Sequence, residues 1–253
     1  MLISSRTILA TMILLALSPA MIVLGAEQIA IVVDREVSPR VLFGAERLNQ
    51  TLVQVGYNTN VVSPTTQSSD GRRIILQIAQ KTRQSRQSSE GYFLRREEGD
   101  IYRITGFGDS GVLYGCLELA KRIAEIGTLP TKLDVTESPV FKLRGPCIGM
   151  QLTSLLSGRD TYEYPYTPGN FPFFYDEDHW INFLDMMVEQ RLNTLYLWNG
   201  HPFASLVKLE DYPYALEVSE EVYQRNVTMY RRLTEEADKR GIWVIQMFYN
   251  IFV

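Results

Sequence analysis

Histidine and cysteine are scarce in this sequence of 253 residues, with two of each. Cys116 and Cys147 lack the CxxC spacing of a zinc or redox site, and His179 and His201 stand too far apart for a helical HxxxH pair. No metal centre and no cofactor is therefore expected. The two thiols read as buried free cysteines, because cysteine is among the most buried residue types. A disulfide between them in an oxidising compartment is the alternative. An excess of positive charge is also missing. A net charge of −4 and a pI near 5.4 leave no basic face for phosphates, which excludes nucleic acid as a partner.

What is present is the composition of an ordinary globular protein: 45% hydrophobic, 11% aromatic and 21% charged residues. That is enough for a sizeable core, and the length allows two domains. Residues 1–26 read as an export signal, with Arg6 at its start, an apolar stretch from Ile8 to Leu17, then Pro19 and the small pair Gly25-Ala26. The alternative is an uncleaved anchor, since Thr7 to Ala26 is almost long enough to span a bilayer. Pro19 and the small residues favour cleavage. The expectation is a secreted or periplasmic protein with no stable membrane span after cleavage; the oligomeric state has no signature in the sequence.

Residues 27–138 read as a compact α+β domain. Gln28 to Asp34 is a buried-strand run, and Ser38-Pro39 opens a helix whose apolar face runs through Val41, Leu42, Ala45, Leu48, Leu52 and Val55. Two more strands follow over Asn58 to Ser63 and Arg73 to Ala79. Gly91 to Arg96 and Ile101 to Thr105 then flank Glu97-Glu98-Gly99-Asp100, a hairpin signal. Ser110 to Ile126 is helical, and the prolines at 130 and 139 mark a linker. Gly106 to Gly111 satisfies GxGxxG between a strand and a helix. A dinucleotide site needs that strand to open a βαβ unit, whereas here it is the second arm of a hairpin. The simpler expectation is a sharp turn, with Asp109 or Ser110 capping the helix.

The segment Gly91-Tyr92-Phe93-Leu94, Ile101 to Thr105, and Asp109-Ser110-Gly111-Val112-Leu113-Tyr114-Gly115 resembles the small accessory domain before the catalytic barrel of β-hexosaminidases (glycoside hydrolase family 20) and α-glucuronidases (family 67). Phe141-Lys142-Leu143-Arg144-Gly145 likewise resembles the opening barrel strand of those enzymes, where an arginine and a glycine begin the sugar pocket. The resemblance implies an exported glycoside hydrolase acting on O-glycosidic bonds of an oligo- or polysaccharide. It departs from family 20 at Leu195 to Pro202, where the histidine-rich strand and paired-aspartate motif are missing.

Independently, residues 139–253 read as the first part of a (β/α)8 (TIM) barrel of about three strands: Phe141 to Met150, Asn193 to Trp198 and Ile242 to Phe248. Helices begin after Asp176 or Asp178 and at Ser219. In such barrels chemistry lies at the carboxyl ends of the strands. The substrate-binding candidates are accordingly Arg144, Trp198, Asn199, His201 and Asn250, since an aromatic ring beside amide, imidazole and guanidinium groups suits the faces and hydroxyls of a sugar. Gln246, Gln151, Tyr249 and the loop residues Tyr162, Glu163, Tyr164 and Tyr166 are weaker candidates. No catalytic residue is assigned. Hydrolysis needs two carboxyl groups, and Asp176, Glu177 and Asp178 are better read as a helix start and Glu210 and Asp211 as a solvated loop. In the families that the chain resembles the acids sit on later barrel strands, so the resemblance implies catalytic acids beyond Val253 and an inactive fragment in this chain alone. The alternative is a non-catalytic carbohydrate-binding protein on the same scaffold.

Overall fold

The computed structural model describes residues 27–34, 36–63, 71–80, 88–150, 165–199 and 202–247. Residues 1–26, where an export signal is expected, and His201, Asn250, Gln151, Tyr249 and Tyr162 to Tyr164 lie outside them. Among the described residues no helix is long and apolar enough to cross a membrane.

The first sheet is built from β1 (Gln28–Val32), β2 (Asn58–Val62), β3 (Arg72–Ile78), β4 (Tyr92–Glu97), β5 (Ile101–Gly106) and β6 (Asp134–Glu137), in the spatial order β2-β1-β3-β5-β4-β6. Strands β2, β1, β3 and β5 are mutually parallel, and β4 runs antiparallel to both β5 and β6. The β4–β5 hairpin pairs Glu97 with Ile101 across a three-residue connection in which Gly99 and Asp100 both have positive φ (73° and 56°), the left-handed backbone that glycine and aspartate adopt most readily. The helices α1 (Pro39–Gln54) and α2 (Asp109–Ile126) pack on each other and on this sheet. Ser38 caps α1 by accepting from the Val41 amide, and Val41, Ala45, Leu48 and Leu52 form its buried stripe.

The GxGxxG segment departs from expectation in two ways. Gly108, not Asp109 or Ser110, occupies the cap position of α2, and no side chain bonds there. In addition β5 is parallel to β3 as well as antiparallel to β4, so strand direction alone does not dispose of a nucleotide site. A Cβ on Gly106 would overlap the Val112 amide, and one on Gly111 would overlap the Gly91 carbonyl. The glycines serve a close approach of backbone to backbone inside the protein.

The second sheet has three parallel strands, β7 (Cys147–Gly149), β8 (Thr194–Trp198) and β9 (Trp243–Met247), with β8 in the middle. The helices α3 (Glu177–Glu189) and α5 (Glu220–Lys239) cover one face, and the short α4 (Phe203–Leu206) follows β8. Asp176 and Ser219 cap α3 and α5 through the amides of His179 and Val222. Strand β7 is much shorter than the expected Phe141 to Met150. Pro146 removes an amide donor, Phe141 is 73% exposed, and only three residues pair with β8. Within the expected linker the chain forms β6, Asp134–Glu137, at the edge of the first sheet.

One hydrophobic cluster runs through both sheets. Helix α1 is the bridge. Arg40 donates to Asp238, Arg47 to Glu189 at 2.6 Å, and Arg240 lies over the Phe43 ring at 4.6 Å while pairing with Asp185 at 2.6 Å. Both cysteines are free. Cys116 is buried as expected, but Cys147 is exposed, because the face of β7 that carries it is covered by no other element among the described residues.

Candidate functional site

Strand periodicity sorts the side chains of the second sheet onto two faces. Leu195 and Leu197 are fully buried toward the helices, and Gln246 points the same way, accepting from Tyr230 at 2.7 Å and from Tyr166 at 3.2 Å. Its amide also donates to the carbonyls of Leu197 and Met247. Gln246 therefore belongs to the helical layer, and so does Tyr166, which is fully buried against Phe171 and Phe174. Burial holds both the Tyr166 and Tyr230 hydroxyls well above their ordinary range, so both remain protonated donors.

The opposite face presents Cys147 on β7, Tyr196 and Trp198 on β8, and Trp243, Ile245 and Met247 on β9, in register with one another. Trp243 is 64% and Met247 40% exposed. Sequence reasoning found Trp198 but missed Tyr196 and Trp243, although the alternation within Thr194–Trp198 places residues 196 and 198 on one side.

At the carboxyl ends of the strands, Asn199 ties the three together. Its backbone amide donates to the Met247 carbonyl at 3.3 Å, its side-chain amide donates to the Met150 carbonyl at 3.1 Å, and the Met150 amide donates to Trp198 at 2.7 Å. Asn199 is fully buried, whereas Trp198 beside it is half-buried on the open face. The two are thus together at one rim, with different exposures.

Arg144 is not with them. It precedes β7, and its carbonyl accepts from the amides of Asn193 and Thr194, which sets it at the amino ends of the strands, the rim opposite Trp198. Its guanidinium meets Glu90 in a bidentate pair, both contacts 3.0 Å, and also donates to the carbonyls of Arg191 and Phe141. Glu90 further accepts from Asn193 at 3.0 Å and from Tyr114 at 3.2 Å. Burial disfavours the charge on Arg144, but the Glu90 carboxylate outweighs it and raises the arginine's pKa. The expected grouping of Arg144 with Trp198, Asn199, His201 and Asn250 is corrected accordingly: the arginine is engaged in joining the two sheets.

The acids fall as the sequence suggests. Glu177 and Asp178 lie in the first turn of α3, where the helix dipole favours negative charge, and Glu210 and Asp211 are exposed in the loop after α4. Among the described residues no group of three or more His, Cys, Asp or Glu side chains could hold a metal ion.

No protein-family model and no curated protein matches the sequence. Solved structures do. The chain is similar to a GH138 enzyme targeting pectin rhamnogalacturonan II, with 46% identity and a TM-score of 0.79, over 89% of this chain and 32% of that one. It is also similar to a family GH115 4-O-methyl-α-glucuronidase with specificity for decorated arabinogalactans (15% identity, TM-score 0.50, 87% of this chain and 28% of that one). A glycoside hydrolase family 20 β-N-acetylglucosaminidase gives 17% identity and a TM-score of 0.50, over 88% and 39%. These last two likenesses concern the fold alone. The chain thus spans about a third of the length of the GH138 enzyme, and the proteins whose structure it shares are glycoside hydrolases.

Proposed function

We propose that this chain carries an accessory domain, residues 27–138, and the opening strands of a (β/α)8 barrel, from residue 139 onward, in an exported glycoside hydrolase acting on O-glycosidic bonds of pectin rhamnogalacturonan II. The observation that carries this is the 46% identity to the GH138 enzyme across 89% of the chain. The second sheet supports it. Among the described residues, three parallel strands with helices on one face, strand edges that pair with nothing further, and an apolar face bearing Tyr196, Trp198, Trp243 and Met247 suit staves of a closed cylinder.

In this reading the saccharide meets the rim formed by the carboxyl ends of β7, β8 and β9, the position where barrel enzymes build their sites. Trp198 offers a ring to the apolar C–H face of a sugar, and His201 and Asn250 offer hydrogen bonds to hydroxyls. Asn199 fixes the rim through Met150 and Met247. The two carboxyl groups that hydrolysis requires come from other strands of the barrel, because the described ends of β7, β8 and β9 carry none.

That same lack of acids favours the second reading, a carbohydrate-binding protein without catalysis. One experiment separates the two: the complete polypeptide is incubated with rhamnogalacturonan II, and released saccharides are followed by chromatography and mass spectrometry. Release of a defined product supports the hydrolase. Binding without release supports the second reading, and neither binding nor release overturns both.

A further inference from the structure

The segment after β8 carries a run of apolar side chains that the protein leaves in water. Phe203 is 42%, Val207 36%, Leu209 47%, Tyr212 55% and Tyr214 78% exposed. A single exposed ring needs no explanation, but a clustered set on one loop marks a contact surface. The Tyr212 and Tyr214 rings stand edge to face with their centroids 6.0 Å apart.

The loop that presents them is held firmly. The Glu217 amide donates to the Ala204 carbonyl at 2.8 Å and closes its base. Ser205, fully buried, accepts from the Tyr166 amide at 3.0 Å, and its carbonyl accepts from Asn226 at 2.9 Å. Lys208 pairs with Glu220 at 2.5 Å and sits over the Tyr223 ring at 4.6 Å. Within the tip, Tyr212 donates to Leu209 and Ala215 donates to Tyr212 through backbone amides. The rings are therefore pre-positioned, and a ligand that stacked on them would lose little in ordering the loop.

We infer that Tyr212 and Tyr214 form an aromatic platform for a sugar residue of the polysaccharide, apart from the proposed rim at the strand ends; this rests on the proposed glycosidase reading. Three features select a saccharide. The loop leaves the carboxyl end of β8, so the platform lies on the connection that departs from the proposed rim. Tyrosine combines a flat apolar face for sugar C–H groups with a hydroxyl for hydrogen bonding, at low cost in side-chain freedom. The neighbours Glu210 and Asp211 are exposed acceptors suited to sugar hydroxyls.

The test compares the complete polypeptide with its Tyr212→Ala/Tyr214→Ala and Tyr212→Phe/Tyr214→Phe variants. Affinity for rhamnogalacturonan II is measured by calorimetry, and turnover on the smallest glycoside the enzyme cleaves is measured alongside. The alanine pair is expected to bind the polymer about tenfold more weakly, ~1.4 kcal/mol, with small-glycoside turnover unchanged. The phenylalanine pair is expected to bind like the parent, because stacking needs the ring. Nitration of Tyr214 by tetranitromethane should proceed in the free protein and be suppressed by the polymer. Unchanged polymer affinity in the alanine pair overturns the platform while leaving the glycosidase reading intact, and so does a Tyr214 already protected without saccharide. Failure of the parent protein to bind the polymer overturns both.

Discussion

Replacing Glu90 tests whether the two sheets are joined by the polar cluster at the amino ends of β7 and β8. The Glu90 carboxylate accepts twice from Arg144 at 3.0 Å, once from Asn193 at 3.0 Å and once from Tyr114 at 3.2 Å. The side chains of Arg144 and Glu90 are only 15% and 12% exposed. Removing the carboxylate strands a guanidinium, an amide and a hydroxyl that water reaches poorly. Breaking a buried pair from one side costs about 3–5 kcal/mol, and the residual exposure puts Glu90→Ala near 3 kcal/mol. Glu90→Gln keeps an acceptor but loses the charge, for a loss of about 2 kcal/mol. Urea denaturation followed by tryptophan fluorescence gives both values as shifts in midpoint at constant slope. Combining Glu90→Ala with Arg144→Met should cost less than the sum of the single changes by about 2 kcal/mol. Single losses below about 0.5 kcal/mol that simply add would refute the reasoning, since surface ion pairs behave that way.

Gly145 lies so close to β8 that a Cβ would overlap the Thr194 carbonyl and its side chain. Gly145→Ala should therefore yield little soluble protein or a melting temperature lower by several degrees, checked by expression and calorimetry. Glu236 gives a pH-dependent test. Its burial would raise its pKa, but donors from Lys239 and Arg240 prevail and hold it below the usual 4.5. The stability from its charged form is present above the unfolded-state pKa and disappears as pH falls through the lower folded value. Glu236→Gln should thus cost about 1–3 kcal/mol at pH 7, and the difference should vanish in acid; a constant difference down to strongly acidic pH would contradict this. The sequon Asn226-Val227-Thr228 should stay unmodified when the protein is secreted from a glycosylating host, as judged by mass spectrometry. Asn226 is fully buried and donates to the carbonyls of Tyr166 and Ser205 at 2.9 Å.

What the sequence made legible was what short-range chemistry decides. Ser38, Asp176 and Ser219 cap their helices as read, and the Gly99-Asp100 hairpin lies where its turn residues put it. Parallel strands β8 and β9 were visible as apolar runs. What was hidden depends on partners distant in the chain. Arg144 reads in the sequence as a sugar ligand because its neighbours resemble a barrel strand, yet its orientation is set by Glu90 and Asn193, 54 and 49 positions away. The shortness of β7 follows from Pro146 together with the tight seat of Gly145 on Thr194. Cys147 was expected inside because cysteine usually is, but it faces the side of the sheet that no described element covers. The α2 cap falls one or two residues before Asp109 and Ser110 because Gly108 and Gly111 pack against the 89–91 segment and no side chain bonds at the cap.

The claim that the saccharide meets the carboxyl rim is tested most directly by two tryptophans on one sheet face. Trp198 ends β8 and Trp243 begins β9, level with Thr194 at the far rim. In the complete polypeptide, kcat/KM on rhamnogalacturonan II is predicted to fall about tenfold or more, ~1.4 kcal/mol, for Trp198→Ala and to change less than about twofold for Trp243→Ala. Equal losses, or the larger loss at Trp243, would contradict the account.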